Sequence, residues 1–130
     1  MPDVHELKIL AVDDFPTMRR IVKTLLRQVG YANVVEAEDG LEALTKLKEE
    51  KIDLVLLDWN MPKMNGLAVL KAMRSDDELR HIPVVMVTAE SKQRDVMEAI
   101  KAGVDNYVVK PFTAETLAEK IGKVLEKRSA

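Results

Sequence analysis

Five short apolar runs, separated by longer amphipathic stretches, restrict most strongly how this chain can fold. The runs lie near residues 7–12, 33–37, 53–57, 84–88 and 106–110, and they are continuous instead of alternating between apolar and polar residues. Continuous runs of this length are typical of parallel strands that are covered on both faces. The alternation therefore predicts an α/β protein with five strands and five helices, joined by right-handed crossovers.

The first amphipathic stretch has a clear helical pattern. Its apolar residues recur at i, i+3, i+4, i+7, i+8 and i+11, and they are Met18, Ile21, Val22, Leu25, Leu26 and Val29. This spacing places them on one helical face. Pro16 suits the first turn of the helix, and Gly30 suits the position just after its end.

The other four stretches carry comparable signals at their ends. We expect Asp39, Asn65 and Thr113 to open the second, third and fifth helices, and Gly103 to end the fourth. Asp39 begins a capping box that Glu42 completes. The apolar positions of the fourth helix are Val96, Met97 and Ile100.

Polar residues inside the runs predict the strand order. The first, third and fourth runs are the most apolar, whereas the second contains Asn33 and Glu36 and the fifth contains Asn106 and Lys110. The second and fifth strands therefore belong at the edges, and a doubly wound parallel sheet in the order 2-1-3-4-5 fits this placement. The winding then reverses between strands one and three, and open α/β sheets bind ligands at such a point.

Functional side chains follow the runs at matching positions. Asp13 and Asp14 follow the first run, Asp58 the third, and Lys110 the fifth, while Thr88 ends the fourth. In a parallel sheet all of these residues lie together along the carboxyl ends of the strands. Three carboxylates in one crevice repel each other, and a hard cation relieves the repulsion. Mg²⁺ prefers such oxygen ligands, so the pattern predicts a Mg²⁺ site in which two carboxylates and a backbone carbonyl just after Asp58 leave positions for waters and a phosphoryl oxygen.

The same edge suggests phosphoryl chemistry. A carboxylate can attack phosphorus to give an aspartyl phosphate, and Asp58 is the best candidate because it stands alone beside the Asp13-Asp14 pair. Lys110 can hold a phosphoryl oxygen as a point charge, and Thr88 can donate its hydroxyl to a second one. A bound phosphoryl group that draws these two donors toward it would act as a switch.

Each residue also has a simpler interpretation. Asp14 alone could be a helix cap, Thr88 a turn residue and Lys110 a solvated strand end. Spacing alone favours core packing for Tyr107 and Trp59. The simpler interpretations weaken because the polar residues all occur at matching strand ends.

Composition limits the classes of function. The 130 residues include no cysteine and have a net charge of −2, which excludes disulfides and thiolate catalysis and gives no basic surface for nucleic acid. No apolar run approaches the roughly 18 residues that a membrane span needs, and the start does not resemble a signal peptide. We expect one domain over residues 1–130, with no output domain, acting as a cytoplasmic monomer with no nucleic-acid or membrane partner.

The polar strand ends resemble the receiver domain of bacterial two-component response regulators, and especially those of chemotaxis. The resemblance covers about residues 7–126 and rests on Val12-Asp13-Asp14, Leu57-Asp58-Trp59-Asn60-Met61-Pro62, Met86-Val87-Thr88-Ala89 and Val109-Lys110-Pro111-Phe112. It implies a flavodoxin-like fold and a phosphorelay function. Asn65 departs from the Asp that many members carry before Gly66, and a turn tolerates either residue.

The resemblance also implies specific roles and partners. Asp58 would accept a phosphoryl group from a chemotaxis histidine kinase; Mg²⁺ would be held by Asp13, Asp14, Asp58 and the backbone carbonyl of Asn60; Thr88 and Tyr107 would form the switch pair, and Lys110 would contact the phosphoryl group. The face formed by the fourth helix, fifth strand and fifth helix would bind the flagellar motor switch. A dedicated phosphatase is a further potential partner.

Two other classes of protein share parts of the pattern. Mg²⁺-dependent phosphatases of the haloacid dehalogenase type need an acid two residues after the nucleophilic aspartate, where this chain has Asn60. A flavodoxin-like electron carrier needs a phosphate loop after the first strand, where Asp13 and Asp14 would repel the FMN phosphate. Both are disfavoured, and a signalling switch without turnover of an external substrate is the preferred interpretation.

Overall fold

The structure of the chain is a computed structural model that describes residues 6–88 and 93–129. Ala89, the last residue of the motif Met86-Val87-Thr88-Ala89, lies outside the described residues. The strands are β1 (Ile9–Val12), β2 (Val34–Ala37), β3 (Leu54–Asp58), β4 (Val84–Thr88) and β5 (Asn106–Val109). The helices are α1 (Pro16–Gln28), α2 (Gly40–Glu49), α3 (Gly66–Arg74), α4 (Gln93–Lys101) and α5 (Ala114–Ser129).

All five strands are parallel and follow the order β2-β1-β3-β4-β5, which confirms the predicted α/β doubly wound sheet. Val12 pairs with Leu57, and Asp58 pairs with Val87. The residues after β1 and at the end of β3 are therefore neighbours. The edge positions of β2 and β5 agree with their polar residues.

Helices cover both faces of the sheet and enclose two cores. On one face, α1 and α5 pack on the sheet through Val22, Leu26, Leu117, Ile121 and Val124. On the other, α2 and α3 pack on it through Ala43, Leu47, Val69, Leu70 and Met73. Burying such side chains stabilises a fold by roughly 1.5–3 kcal/mol each before the entropy loss is counted. The sheet is thus a rigid support for its loops.

Most of the expected helix ends are present. Pro16 begins α1, and Gly30 after it has a φ of 100°. The side chains of Asp39, Asn65 and Thr113 accept hydrogen bonds from the backbone amides of Glu42, Ala68 and Thr116. The capping box differs in one detail, because the Glu42 carboxylate accepts from the amide of Glu38 instead of that of Asp39.

Some apolar positions face solvent, contrary to the simplest interpretation of the helical pattern. Ile21 is 45% exposed, so the buried stripe of α1 is narrower than the apolar pattern. In the part of α4 whose burial is described, residues 96–101, Ala99 is buried, whereas Met97 and Ile100 are 50% and 60% exposed. Within the described ranges, no helix is both long enough and apolar enough to cross a membrane.

Candidate functional site

Three aspartates lie together where the winding of the sheet reverses. One carboxylate oxygen each from Asp13, Asp14 and Asp58 lies within 4.8 Å of the others. The pairing of β1 with β3 accounts for this, since Asp13 follows the residue paired with Leu57. Asp13 and Asp58 are only 5% and 4% exposed. The structure therefore concentrates negative charge in a place with little access to water.

Lys110 reaches into this cluster from β5, two strands away from Asp58. Its ammonium Nζ lies 3.3 Å from Asp13 Oδ2 and 3.2 Å from Asp58 Oδ1. Its backbone amide donates to the Thr88 carbonyl at 2.7 Å, and the bond to Pro111 is cis. Lys110 is therefore part of the cluster and not a solvated strand end.

Burial changes the acidity of Asp58. Desolvation, and after it the charge of Asp13, raise the pKa of Asp58, and the ammonium of Lys110 opposes both, so that the net pKa is about 6 instead of 3.8. A buried carboxylate is disfavoured in its charged form unless opposite charge compensates it. Among the residues that the structure describes, the ammonium of Lys110 is the one ion-paired with this cluster of three carboxylates, so the described cluster is under-compensated.

Asp14 supplies a second sign that the cluster suits a cation. Its Oδ1 atom is buried and has no hydrogen-bond partner among the described residues. Buried carboxylate oxygens are almost always paired, and an unpaired one indicates room for an ion or water. Asp14 is also not the cap of α1, because Phe15 occupies that position and donates its amide to Asp13 Oδ1 at 3.0 Å. The residues present therefore fit a hard divalent cation such as Mg²⁺.

Thr88 and Tyr107 share a small cavity with Trp59, the residue that follows Asp58. Thr88 ends β4 and is 6% exposed. A cavity of about 10 Å³ is lined by Trp59, Met86, Thr88, Val96, Ala99 and Tyr107. Trp59 and Tyr107 are half-buried and pack against the core, as their spacing suggests. The Lys120 ammonium lies 5.4 Å from the centre of the Tyr107 ring, within cation–π range.

The loop between β3 and α3 contains Asn60, and a backbone hydrogen bond joins its two ends. Asn60 is exposed, and the Gly66 amide donates to the Trp59 carbonyl at 2.9 Å. A Cβ on Gly66 would lie 2.4 Å from the Asp58 carbonyl oxygen and 3.0 Å from Trp59 Cα. Sequence reasoning identified Gly66 only as a helix start, so its role in this close approach was missed. A glycine eight residues after the acceptor candidate was the available signal.

We expect Gly66→Ala to destabilise the fold by roughly 1–3 kcal/mol, since the new methyl group meets rigid backbone. Gly122→Ala is the matched control, because nothing lies within 4 Å of its Cβ position in α5, and it should stabilise by up to about 1 kcal/mol. Urea midpoints of the two variants measure both effects. A Gly66→Ala variant as stable as wild type would contradict the close approach.

Comparisons with known proteins identify the family of the chain. The family described as response regulator receiver domain matches residues 9–122. Over 121 residues the chain is 57% identical to chemotaxis protein CheY-3 of Vibrio cholerae, covering 93% of each chain. It is 54% identical to chemotaxis protein CheY of Pseudomonas aeruginosa, covering 93% of this chain and 98% of that one.

Solved structures give the same result. Chemotaxis protein CheY4 of Vibrio cholerae has a TM-score of 0.85 at 36% identity, covering 91% of this chain and 98% of that one. A CheY-like receiver domain protein of Methanospirillum hungatei has a TM-score of 0.85 at 29% identity, covering 95% and 96%. The fold is therefore flavodoxin-like, as expected. The chain belongs to the response regulator receiver domain family, and its similarity to these relatives supports a function in chemotaxis.

Proposed function

We propose that this chain is a chemotaxis response regulator in which Asp58 accepts a phosphoryl group and thereby switches the conformation of the domain. The observation that carries the proposal is the buried Asp58 carboxylate, which lies beside Asp13 and Asp14 and within 3.2 Å of the Lys110 ammonium. An aspartate in this setting is shielded from water and faces both a cation site and a fixed positive charge. Those are the requirements of a carboxylate that attacks phosphorus.

Asp13, Asp14, Asp58 and the backbone carbonyl of Asn60 would hold Mg²⁺. The family binds Mg²⁺ at an acidic pocket, and the unpaired Asp14 Oδ1 supports this site. When bound, the ion neutralises the charge that gathers on the oxygens of the transferring phosphoryl group. It also removes the repulsion among the three carboxylates.

The chain's own residues perform the remaining steps. A carboxylate oxygen of Asp58 forms a bond to phosphorus while the bond from phosphorus to the donor histidine nitrogen breaks. Lys110 already lies at the Asp58 carboxylate and can move to an oxygen of the phosphoryl group, which as a whole carries a charge of about −1.5 to −2. The Thr88 hydroxyl can donate to another oxygen. Thr88 would transmit this change to Tyr107 through the cavity that they share.

The proposed partners follow from the family and from an exposed apolar surface. A histidine kinase would donate the phosphoryl group, and the α4–β5–α5 face would bind the flagellar motor switch. Met97 and Ile100 on α4 are exposed, which supports a protein-binding role for that face. We also propose that residues 1–130 form one receiver domain that acts as a monomer in the cytoplasm, and that a dedicated phosphatase acts on its phosphorylated form.

The phosphatase alternative has less support. A haloacid-dehalogenase-type enzyme needs a carboxylic acid at position 60 to protonate its leaving group, and the Asn60 amide cannot do this. We therefore propose that the only catalysis is phosphorylation and dephosphorylation of Asp58 itself.

Incubation with acetyl phosphate tests the proposal without a kinase. With Mg²⁺ we expect intact mass spectrometry to detect one added phosphoryl group per chain, and with EDTA we expect none. The metal-free sample is the control for non-specific acylation. Equal labelling with and without Mg²⁺, or no labelling in either, would contradict the proposed function.

A further inference from the structure

Arg19 on α1 connects the aspartate cluster to the edge of the sheet. Its Nη1 donates to the backbone carbonyl of Asp13 at 2.7 Å, and its Nε donates to Glu36 Oε1 at 3.1 Å. The Arg19 side chain is only 13% exposed, so these bonds have limited competition from water. Lys23 approaches the other Glu36 oxygen at 3.8 Å, which places a second positive charge on this carboxylate.

The contact matters because the chain turns sharply at Asp13. The Asp13 amide donates to the Ala37 carbonyl at 3.2 Å, and the next residue after Asp14 is already the cap of α1. With Arg19 bound to the carbonyl, both backbone polar groups of Asp13 are fixed. Its side chain is held separately, by the Phe15 amide and by Lys110. Arg19 therefore restrains the peptide unit that joins Asp13 to Asp14.

We infer that Arg19 is a positioning residue for the divalent cation, holding the Asp13-Asp14 turn in the geometry in which both carboxylates face Asp58. This inference rests on the proposed function, because it assumes that the cluster binds Mg²⁺. Mutation of a residue that orients a metal ligand without touching the metal typically weakens metal affinity 10–100-fold. Arg19 fits this description because it binds the backbone of one carboxylate residue and no carboxylate of the cluster.

Charge and positioning make opposite predictions for loss of Arg19. Removing a positive charge near three carboxylates makes the site more negative, which by itself strengthens Mg²⁺ binding. Loss of the restraint on the turn weakens it. A weaker affinity in Arg19→Met therefore cannot come from the lost charge. Arg20→Met is the matched control, because Arg20 is the exposed neighbour on α1 and its removal changes net charge equally.

The experiment titrates Mg²⁺ into metal-free full-length protein by calorimetry and by Trp59 fluorescence. We expect Arg19→Met to raise the Kd for Mg²⁺ by about tenfold or more, since orienting residues typically change metal affinity 10–100-fold. Arg20→Met should leave the Kd unchanged or slightly lower. Phosphorylation by acetyl phosphate should need correspondingly more Mg²⁺ in Arg19→Met and recover its maximal rate at saturation. A purely structural role would instead lower thermal stability and leave the Kd unchanged.

Each remaining outcome is also decisive. An Arg19→Met Kd equal to or below that of wild type would overturn the inference and leave the proposed function intact. If Arg19→Met fails to fold, Arg19→Lys is the variant that decides. Lysine keeps the positive charge but has no guanidinium with which to bridge the Asp13 carbonyl and the Glu36 carboxylate. An unchanged Kd for Mg²⁺ in Arg19→Lys would overturn the inference. A wild type that does not bind Mg²⁺ would contradict the proposed function itself.

Discussion

Asp58→Asn is expected to take up no phosphoryl group from acetyl phosphate and Mg²⁺ under conditions in which wild type takes up one. The neutral amide is a poor nucleophile toward phosphorus, so the variant lacks the bond-forming atom itself. The change is nearly isosteric, and Asp58 lies at the end of a fully buried strand, so the fold should survive. Intact mass of both proteins over a time course measures the difference.

Asp77→Asn is the control for this variant. It makes the same chemical change in an exposed loop between α3 and β4. This loop leads into β4 and so lies at the amino ends of the strands, whereas Asp58 lies at the carboxyl end of β3. We expect it to be labelled like wild type. Labelling of Asp58→Asn at the wild-type level would show that another side chain is the acceptor, and peptide mapping would then identify it.

The same substitution should stabilise the metal-free protein at neutral pH. Burial and the Asp13 charge raise the pKa of Asp58 from 3.8 to about 6. One pKa unit corresponds to about 1.4 kcal/mol, so the ionised carboxylate destabilises the folded state by about 3 kcal/mol above pH 6. Asparagine carries no such charge. We therefore expect Asp58→Asn in EDTA to gain about 3 kcal/mol in free energy of unfolding at pH 7.5.

The gain should depend on pH in a defined direction. Between about pH 4 and pH 6 the folded state binds the Asp58 proton and the unfolded state does not, so stability from this group falls as pH rises. The difference between variant and wild type should therefore be close to zero at pH 4, grow through pH 5 and be complete above pH 6. Urea unfolding of both proteins at these pH values measures it, with Asp77→Asn as the reference. If Asp58→Asn is no more stable than wild type at pH 7.5, or is still more stable at pH 4, burial of the ionised Asp58 carboxylate is not the cause of the stability difference.

The fold was largely predictable because its signals are local. Continuous apolar runs, Pro16 and Gly30 around one helix, and the cap at Asn65 each depend on a few neighbouring residues. The edge strands were also predictable from the polar residues in β2 and β5, and the order β2-β1-β3-β4-β5 fits that placement. The main misjudgements concerned exposure: Ile21 and Met97 fit a helical face in the sequence but lie in solvent.

The candidate site was predictable in part. Parallel strands bring their carboxyl ends together, so the sequence alone predicts that Asp13, Asp58 and Lys110 meet there, as the structure shows. The reach of Lys110 across β4 is a matter of side-chain direction, which periodicity does not determine. Its distances to both carboxylates come from the packing of β5 and its following loop.

The sequence by itself determined the kind of protein: a parallel α/β sheet with three carboxylates, a hydroxyl and an ammonium at one edge, because these features follow from patterns along the chain. Only the tertiary structure decided which residues support that edge. Gly66 lies where a side chain would clash with the Asp58 carbonyl, and Arg19 donates to the Asp13 carbonyl, and such close approaches leave no pattern in the sequence. They depend on distances between separate elements, and those distances are fixed only when the helices have packed against the sheet.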